Sequence, residues 1–136
     1  MLRIAVGGYE LLARFEEHRS PRTVAFVRTM LPYESTLIQA RWSGQAAWIP
    51  MGDYDVGDLG PEDPTSYPAP GEILLYPGGV SEVEILFPYG DTRFASKAGQ
   101  LSGNVFASVV EGLEHLPAIG ELVLLRGAQD IRLHES

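Results

Sequence analysis

ELLARFEEHRSPRTVAFVRTML, residues 10–31, changes from a strand pattern to a helix pattern and decides how the chain begins to fold. Ser20 is a residue type that caps helices, and Pro21 suits the first helical position because its φ is preset. An apolar stripe follows on one helical face, formed by Val24, Val27, Met30 and Leu31. Pro32 cannot continue a helix. We therefore predict an α-helix over about residues 20–31.

Most other segments are short, rich in β-branched or aromatic residues and bounded by Gly, Pro or Asp, which is typical of strands. Eight strands in a chain of 136 residues predict a mainly β fold, either a closed barrel or a sandwich. A short second helix is predicted over about residues 111–116. The predicted strands are Leu2–Val6, Tyr9–Phe15, Thr36–Trp42, Ala46–Met51, Glu72–Tyr76, Val83–Pro88, Val105–Val110 and Leu122–Arg126, with Ile131–His134 as a candidate ninth.

The hairpin in the middle of the chain carries the clearest turn signal. In the sequence Tyr76-Pro77-Gly78-Gly79, proline and glycine occupy the positions that a type II turn favours, so the flanking strands are predicted to pair. Alternation along the second strand separates two faces, because successive side chains of a strand point in opposite directions. One face carries Val83, Ile85 and Phe87, and the other carries Glu82, Glu84 and Leu86.

Length and composition predict one domain over residues 1–136. The net charge of −8 disfavours binding to a phosphate backbone, so we expect no nucleic-acid partner. The chain has no cysteine, which excludes disulfides, thiolate metal sites and a cysteine nucleophile. No segment has the apolar length of a signal-peptide core or of a membrane span, so we expect a cytoplasmic protein with no membrane contact.

An acidic loop, GDYDVGDLGPED at residues 52–63, resembles a calcium site in composition only. Counted from Asp53, an EF-hand loop needs glycine at its sixth position and glutamate at its twelfth, whereas this chain has Asp58 and Pro64 there. No pair of histidines has the spacing of a helical metal site. We therefore expect neither a metal nor a cofactor.

Arg41, Trp42 and Trp48 lie on two predicted strands that a short turn joins. One interpretation places Trp42 in the core and leaves Arg41 as an exposed strand residue. In the other interpretation, the arginine binds a carboxylate or carbonyl group in a cleft with aromatic walls.

Two stretches resemble the cyclophilin superfamily. Residues 10–31 resemble its opening strand and first helix, and the matching positions are Pro21, Thr23, Val24 and Phe26. NVFASVVEGLEHLPAIGE, residues 104–121, resembles a late strand and the turn after it, with matches at Val105, Phe106, Val109, Val110, Glu111, Gly112 and Leu113. The resemblance implies a closed eight-stranded barrel whose ends are capped by helices, so the barrel is the fold that we expect. The resemblance also implies peptidyl-prolyl isomerase activity, with Arg41 in place of the arginine that polarises the prolyl amide.

The middle of the chain departs from true cyclophilins, because Gln39-Ala40 precedes Arg41 where that family has Phe-His. The chain is more similar to small uncharacterised bacterial cyclophilin-like proteins, a likeness that implies no known reaction. The stretches that carry this likeness are RWSG, SYPAPGEILLYPGG, ILFPYG and FASKAGQLSGN.

The leading functional hypothesis is a barrel-side cleft that binds a small carbonyl- or carboxylate-bearing ligand through Arg41. One alternative is a prolyl isomerase with a divergent site that acts on proline-containing peptides. Another is a non-catalytic homo-oligomeric interaction protein with exposed Tyr and Pro edges. The predicted ligand-binding residues are Arg41, Trp42, Trp48, Tyr76, Gln100, Asn104 and Phe106.

Overall fold

A computed structural model describes residues 1–136, which form ten strands and two α-helices. Helix α1 spans Pro21–Met30 and helix α2 spans Leu116–Arg126, directly after a 3-10 turn at Leu113–His115. Neither helix has the length and apolar character needed to cross a membrane. The strands are β1 Leu2–Val6, β2 Tyr9–Phe15, β3 Tyr33–Gln39, β4 Gly44–Gly52, β5 Glu72–Tyr76, β6 Val83–Thr92, β7 Ala95–Ser96, β8 Gly99–Gln100, β9 Asn104–Glu111 and β10 Gln129–Glu135.

Eight of these strands close into a barrel in the order β1, β10, β3, β4, β6, β5, β9, β2 and back to β1. Every neighbouring pair is antiparallel. The remaining two, β7 and β8, form a separate hairpin. The predicted mainly β fold with a closed eight-stranded barrel is therefore confirmed, as is the pairing of β5 with β6 across the Pro-Gly-Gly turn.

The barrel interior holds the main apolar core, and its residues follow the period of two expected of strands. On β6 the side chains of Val83, Ile85 and Phe87 all point inward, as their alternation predicts. The opposite face of β6 is also buried, although alternation alone would place it in solvent. A second, smaller apolar cluster covers that outer face, and it consists of Ala46, Leu74, Tyr76, Leu86, Phe94, Leu101 and Val105.

The C-terminal part of the sequence folds differently from the prediction. The predicted strand Leu122–Arg126 is the last part of α2, and the predicted helix at 111–116 is replaced by the end of β9 and the 3-10 turn. The eighth barrel strand is β10, which contains the candidate ninth segment Ile131–His134.

Two local signals caused this error, because Pro117 and Gly120 look like the end of a helix. The proline instead lies in the first turn of α2, where a missing N–H costs nothing. Gly120 faces the barrel, and a Cβ there would lie 2.1 Å from Cδ1 of Tyr89. The glycine therefore allows the helix to pack closely, with Leu116, Ile119 and Val123 buried beside it.

The predicted strand Thr36–Trp42 is also displaced. Strand β3 ends at Gln39, so Arg41 and Trp42 lie in the turn between β3 and β4. Gly44 begins β4 with a φ of +78°, and a Cβ there would lie 2.8 Å from the carbonyl oxygen of Asp91. A tight, glycine-dependent turn thus ends the strand earlier than the apolar pattern indicates.

Helix α1 is confirmed, but its cap is not the one predicted from sequence. Ser20 makes no side-chain capping bond. The carboxylate of Glu62 accepts hydrogen bonds from the backbone N–H of Thr23 at 2.7 Å and of Arg22 at 3.0 Å. Its first oxygen also accepts from the Thr23 hydroxyl at 2.7 Å. The acidic loop therefore supplies a distant cap that satisfies free N–H groups at the helix start.

Burial raises the pKa of Glu62, but the hydrogen bonds from Thr23 and Arg22 and the charge of Arg22 outweigh it, so the net shift is downward. Because the folded pKa is lowered, the carboxylate stabilises the fold above its ordinary pKa of about 4.5. This stabilisation is lost as the pH falls through the folded pKa.

We predict that Glu62→Gln lowers the free energy of unfolding by about 1 kcal/mol at neutral pH, since it weakens the cap of α1. The difference from wild type should shrink under acid conditions, where the wild-type carboxylate is protonated. Urea unfolding at neutral and acid pH measures both effects. Asp63→Asn is the matched control, because Asp63 is exposed and forms only a surface ion pair with Arg19. An equal loss at both pH values would contradict the capping role of the charge.

A candidate ligand-binding cleft on the barrel wall

A cleft of about 380 Å³ lies on the outside of the barrel. Its floor is the outer face of three neighbouring strands, with Ile38 from β3, Trp48 from β4 and Glu84 from β6. The β3–β4 turn forms one side, and the loop residues Val80 and Ser81 form another. The β7–β8 hairpin, with the turn that joins its strands, covers the cleft from above; it contributes the residues Ala95, Ser96, Lys97 and Ala98.

One serine and one phenylalanine are among the residues that hold the β7–β8 hairpin against the barrel. The Ser43 hydroxyl donates to the carbonyl oxygen of Ala95 and accepts from its N–H, both at 3.1 Å. Phe94 is fully buried in the outer cluster, where its ring lies edge-on to Tyr76 with centroids 5.7 Å apart. These contacts fix the hairpin without using any charged group of the cleft.

The β5–β6 loop is fixed by a tyrosine hydroxyl. Tyr76 lies in the outer cluster, and its hydroxyl oxygen accepts hydrogen bonds from the backbone N–H of Val80 at 3.0 Å and of Ser81 at 3.3 Å. The two covering segments are thus held by neutral contacts, which gives the cleft a defined shape.

Three of the predicted ligand-binding residues meet in this cleft, namely Arg41, Trp42 and Trp48. Trp42 is 54% exposed at the rim, so it is not a core residue. Trp48 is half-buried on the floor. Arg41 is exposed at the rim and forms no ion pair or hydrogen bond with another side chain. The chain's single lysine, Lys97, faces the same space from the hairpin and is likewise unpaired.

The other predicted site residues lie elsewhere. Tyr76, Gln100 and Asn104 border a separate depression beside the acidic loop. The Asn104 amide donates to Gly60 and Thr23 and accepts from the N–H of Glu62, so it serves the α1 cap. Phe106 is fully buried in the main core and cannot contact a ligand in the cleft.

Glu84 is the residue in this cleft that the sequence did not identify. It is only 6% exposed, yet its carboxyl group makes no hydrogen bond and no ion pair within the chain. Burial, together with repulsion from Glu82, raises the pKa of Glu84 to about 8. Alternation places Glu84 on the outward face of β6, and the sequence contains no local signal that a distant hairpin covers that face. A buried acid without a partner is a common feature of binding and catalytic sites.

The fold and the cleft define an eight-stranded antiparallel barrel with a small side cleft that contains two unpaired cations and one buried acid. Residues 2–135 match the family described as "Protein of unknown function (DUF3830)". The chain belongs to this family, and the match spans almost its whole length. No group of three or more His, Cys, Asp or Glu side chains is arranged to hold a metal ion. No curated protein matches the chain.

Two solved structures share the fold. McbB, solved in complex with tryptophan, superposes with a TM-score of 0.71 at 18% sequence identity over 100% of this chain. The chain spans 45% of the length of McbB. The hypothetical protein AF2241 from Archaeoglobus fulgidus superposes with a TM-score of 0.64 at 20% identity, over 99% of this chain and 93% of that one. At these identities the similarity concerns the fold alone.

The raised pKa of Glu84 predicts a measurable dependence of stability on pH. Between its ordinary pKa of about 4.5 and its folded value of about 8, the folded state binds more protons than the unfolded state. The contribution of Glu84 to the free energy of unfolding should therefore fall as pH rises, by at most about 1.4 kcal/mol per pH unit.

Urea unfolding of wild type and Glu84→Gln across this pH range measures the difference in slope. Glu84→Gln should be the less pH-dependent protein, because a neutral amide does not titrate. Glu10→Gln is the control, since Glu10 is exposed on β2, outside the cleft, and does not influence the pKa of Glu84. Parallel curves for wild type and Glu84→Gln would contradict the buried, titrating carboxyl group.

Proposed function

We propose that this protein binds a small molecule bearing a carboxylate or carbonyl group in the barrel-side cleft, with Arg41 as its charged anchor. The observation that carries the proposal is the pair of cations, Arg41 and Lys97, which border a concave and partly aromatic surface without any acidic partner. An unpaired guanidinium beside an apolar wall favours a ligand carboxylate, because charge-assisted hydrogen bonds are stronger than neutral ones and a guanidinium can bind both carboxylate oxygens.

The net negative charge of the chain supports the role of Arg41 as the anchor of a ligand carboxylate. With a net charge of −8, the protein as a whole repels anions, so an anionic ligand depends on local cations for its position. Trp42 and Trp48 supply the apolar area that such small sites use for affinity. McbB, which shares the fold, was solved with tryptophan, so amino acids belong among the probes.

We infer a cyclophilin-like relationship as the second part of this proposal. The closed eight-stranded barrel with two helices supports it, together with the resemblance of residues 10–31 and 104–121. A prolyl isomerase would place a proline-containing peptide against Trp48, with Arg41 donating to the prolyl amide nitrogen to lower the rotation barrier of about 18–20 kcal/mol. This alternative is favoured because Arg41 and Trp48 line the same cleft.

The homo-oligomeric alternative rests on a different surface. Tyr67 in the Tyr/Pro segment and Leu124 and Leu125 on α2 are exposed apolar or aromatic side chains. Such side chains supply the apolar area that a symmetric interface uses. A cytoplasmic location and the absence of a nucleic-acid partner complete the proposal, and the net negative charge supports the latter.

The proposal predicts that carboxylic acids raise the melting temperature of wild type and not that of Arg41→Gln. A ligand at about 100 times its dissociation constant stabilises the folded state by about 2.7 kcal/mol, which a thermal-shift assay detects. Arg3→Gln is the matched control, since Arg3 is exposed on β1, outside the cleft. The panel contains metabolite acids, their amides, amino acids and short proline peptides.

Different results of this panel separate the alternatives. Stabilisation by proline peptides alone, with catalysed cis–trans exchange in NMR, would support the isomerase. Equal stabilisation of wild type and Arg41→Gln would refute Arg41 as the anchor. Absence of any shift, combined with a stable oligomer in light scattering, would favour the interaction protein.

A further inference from the structure

The cleft holds one acidic side chain, Glu84, and two basic ones at its rim, and none of the three has a partner within the chain. The Glu84 carboxyl group is buried on the floor, and its only open direction is the cleft, since no side chain or backbone N–H binds it. Arg41 and Lys97 at the rim form no ion pair with it or with any other acid. A cleft with an acidic floor and a basic rim is complementary to a ligand with two opposite charges.

The groups that face Glu84 from each neighbouring element supply no positive partner. Glu82, which directly precedes β6, repels the negative charge of Glu84. From β5, Tyr76 pairs with Glu84 across the ladder, but its hydroxyl already accepts from Val80 and Ser81. From β4, Pro50 lies opposite and Trp48 lies diagonally on the same face, and neither carries a charge.

We propose that the ligand is an amino acid or a similar aminocarboxylic acid, whose protonated amine pairs with Glu84 while its carboxylate is held by Arg41 and Lys97. This inference rests on the proposed function, because it concerns the same cleft and the same Arg41 anchor. The inference adds a second functional group of the ligand, its amine. It also gives the orientation of the ligand, with the amine at the floor of the cleft and the carboxylate at the rim.

The aromatic residue on the floor supports an amine at this position. Trp48 and Glu84 are diagonal neighbours on the outer face of β4 and β6, which is within reach of a large aromatic side chain. A cation that contacts the carboxylate can therefore also lie against the indole ring, an arrangement that stabilises ammonium groups. The cleft volume of about 380 Å³ suits a small molecule of this class.

The raised pKa of Glu84 fixes the sign of the pH dependence of binding. In the free protein the carboxyl group is largely protonated below about pH 8, whereas a bound ammonium group requires the carboxylate. Binding therefore releases a proton, and affinity should rise with pH by up to about tenfold per unit between about pH 6 and pH 8. A neutral Glu84 that donated a hydrogen bond to the ligand would give the opposite dependence.

Isothermal titration calorimetry with matched probes tests the inference. The amino acids are phenylalanine, tryptophan and leucine, and their counterparts without the amine are 3-phenylpropionate, 3-indolepropionate and 4-methylpentanoate. We expect at least one amino acid to bind wild type about tenfold or more tightly than its counterpart, and we expect Glu84→Gln to abolish this preference. Glu82→Gln, which removes a neighbouring carboxylate outside the cleft, should keep it.

Other results would refute either the role of Glu84 or the whole proposed site. If an acid without the amine binds as tightly as its amino acid, and both bind more weakly to Arg41→Gln, the proposed function stands and the role of Glu84 is refuted. Affinity that falls as the pH of the wild-type titration rises also refutes it, and this readout does not depend on a variant that folds. Absence of binding by all six probes at millimolar concentration would overturn both the inference and the carboxylate-binding proposal.

Discussion

Closure of the barrel by β10, which pairs with both β1 and β3, is the constraint on which the rest of the structure depends. A closed barrel has no free edge, so every strand of the barrel is paired on both sides. The side chains inside form the main core. The outer faces of β4, β5 and β6 carry further apolar residues, and these must be covered from outside. The segment around Phe94 covers them, and the cleft is the space that this cover leaves open beside Trp48.

The chemistry of the cleft follows from this arrangement. Its charged groups are available because the contacts that build its walls are neutral: a serine hydroxyl on the backbone of Ala95, and a tyrosine hydroxyl on Val80 and Ser81. Elsewhere charged side chains stabilise the fold; for example, the Glu62 carboxylate caps the start of α1. No comparable structural contact involves Glu84, Arg41 or Lys97. In this respect they differ from the charged residues that form ion pairs elsewhere on the surface.

Local patterns in the sequence predicted the features that short-range physics decides. Most of the barrel strands, helix α1 and the inward face of β6 follow from periodicity and turn residues. Arg41, Trp42 and Trp48 were placed together because a short turn joins their segments. Helix α2 could not be predicted, because Gly120 indicates a helix end locally and its close contact with Tyr89 appears only in the folded chain. Glu84 was missed for a related reason, since the hairpin that buries it is distant in sequence. Asn104 and Phe106 were misplaced because aromatic or amide character alone does not tell which face of a strand a residue occupies.

The division of the apolar residues into two clusters has a consequence for divergence within the family. The inner cluster contains 25 buried residues and the outer one seven, and the two occupy opposite faces of the same barrel wall. Substitutions in the β7–β8 hairpin and its turn change the residues around Lys97 while the interior keeps its packing. Homologues can therefore change the lining of the cleft at little cost in folding, and the length and composition of this one hairpin should vary among them more than the barrel strands do.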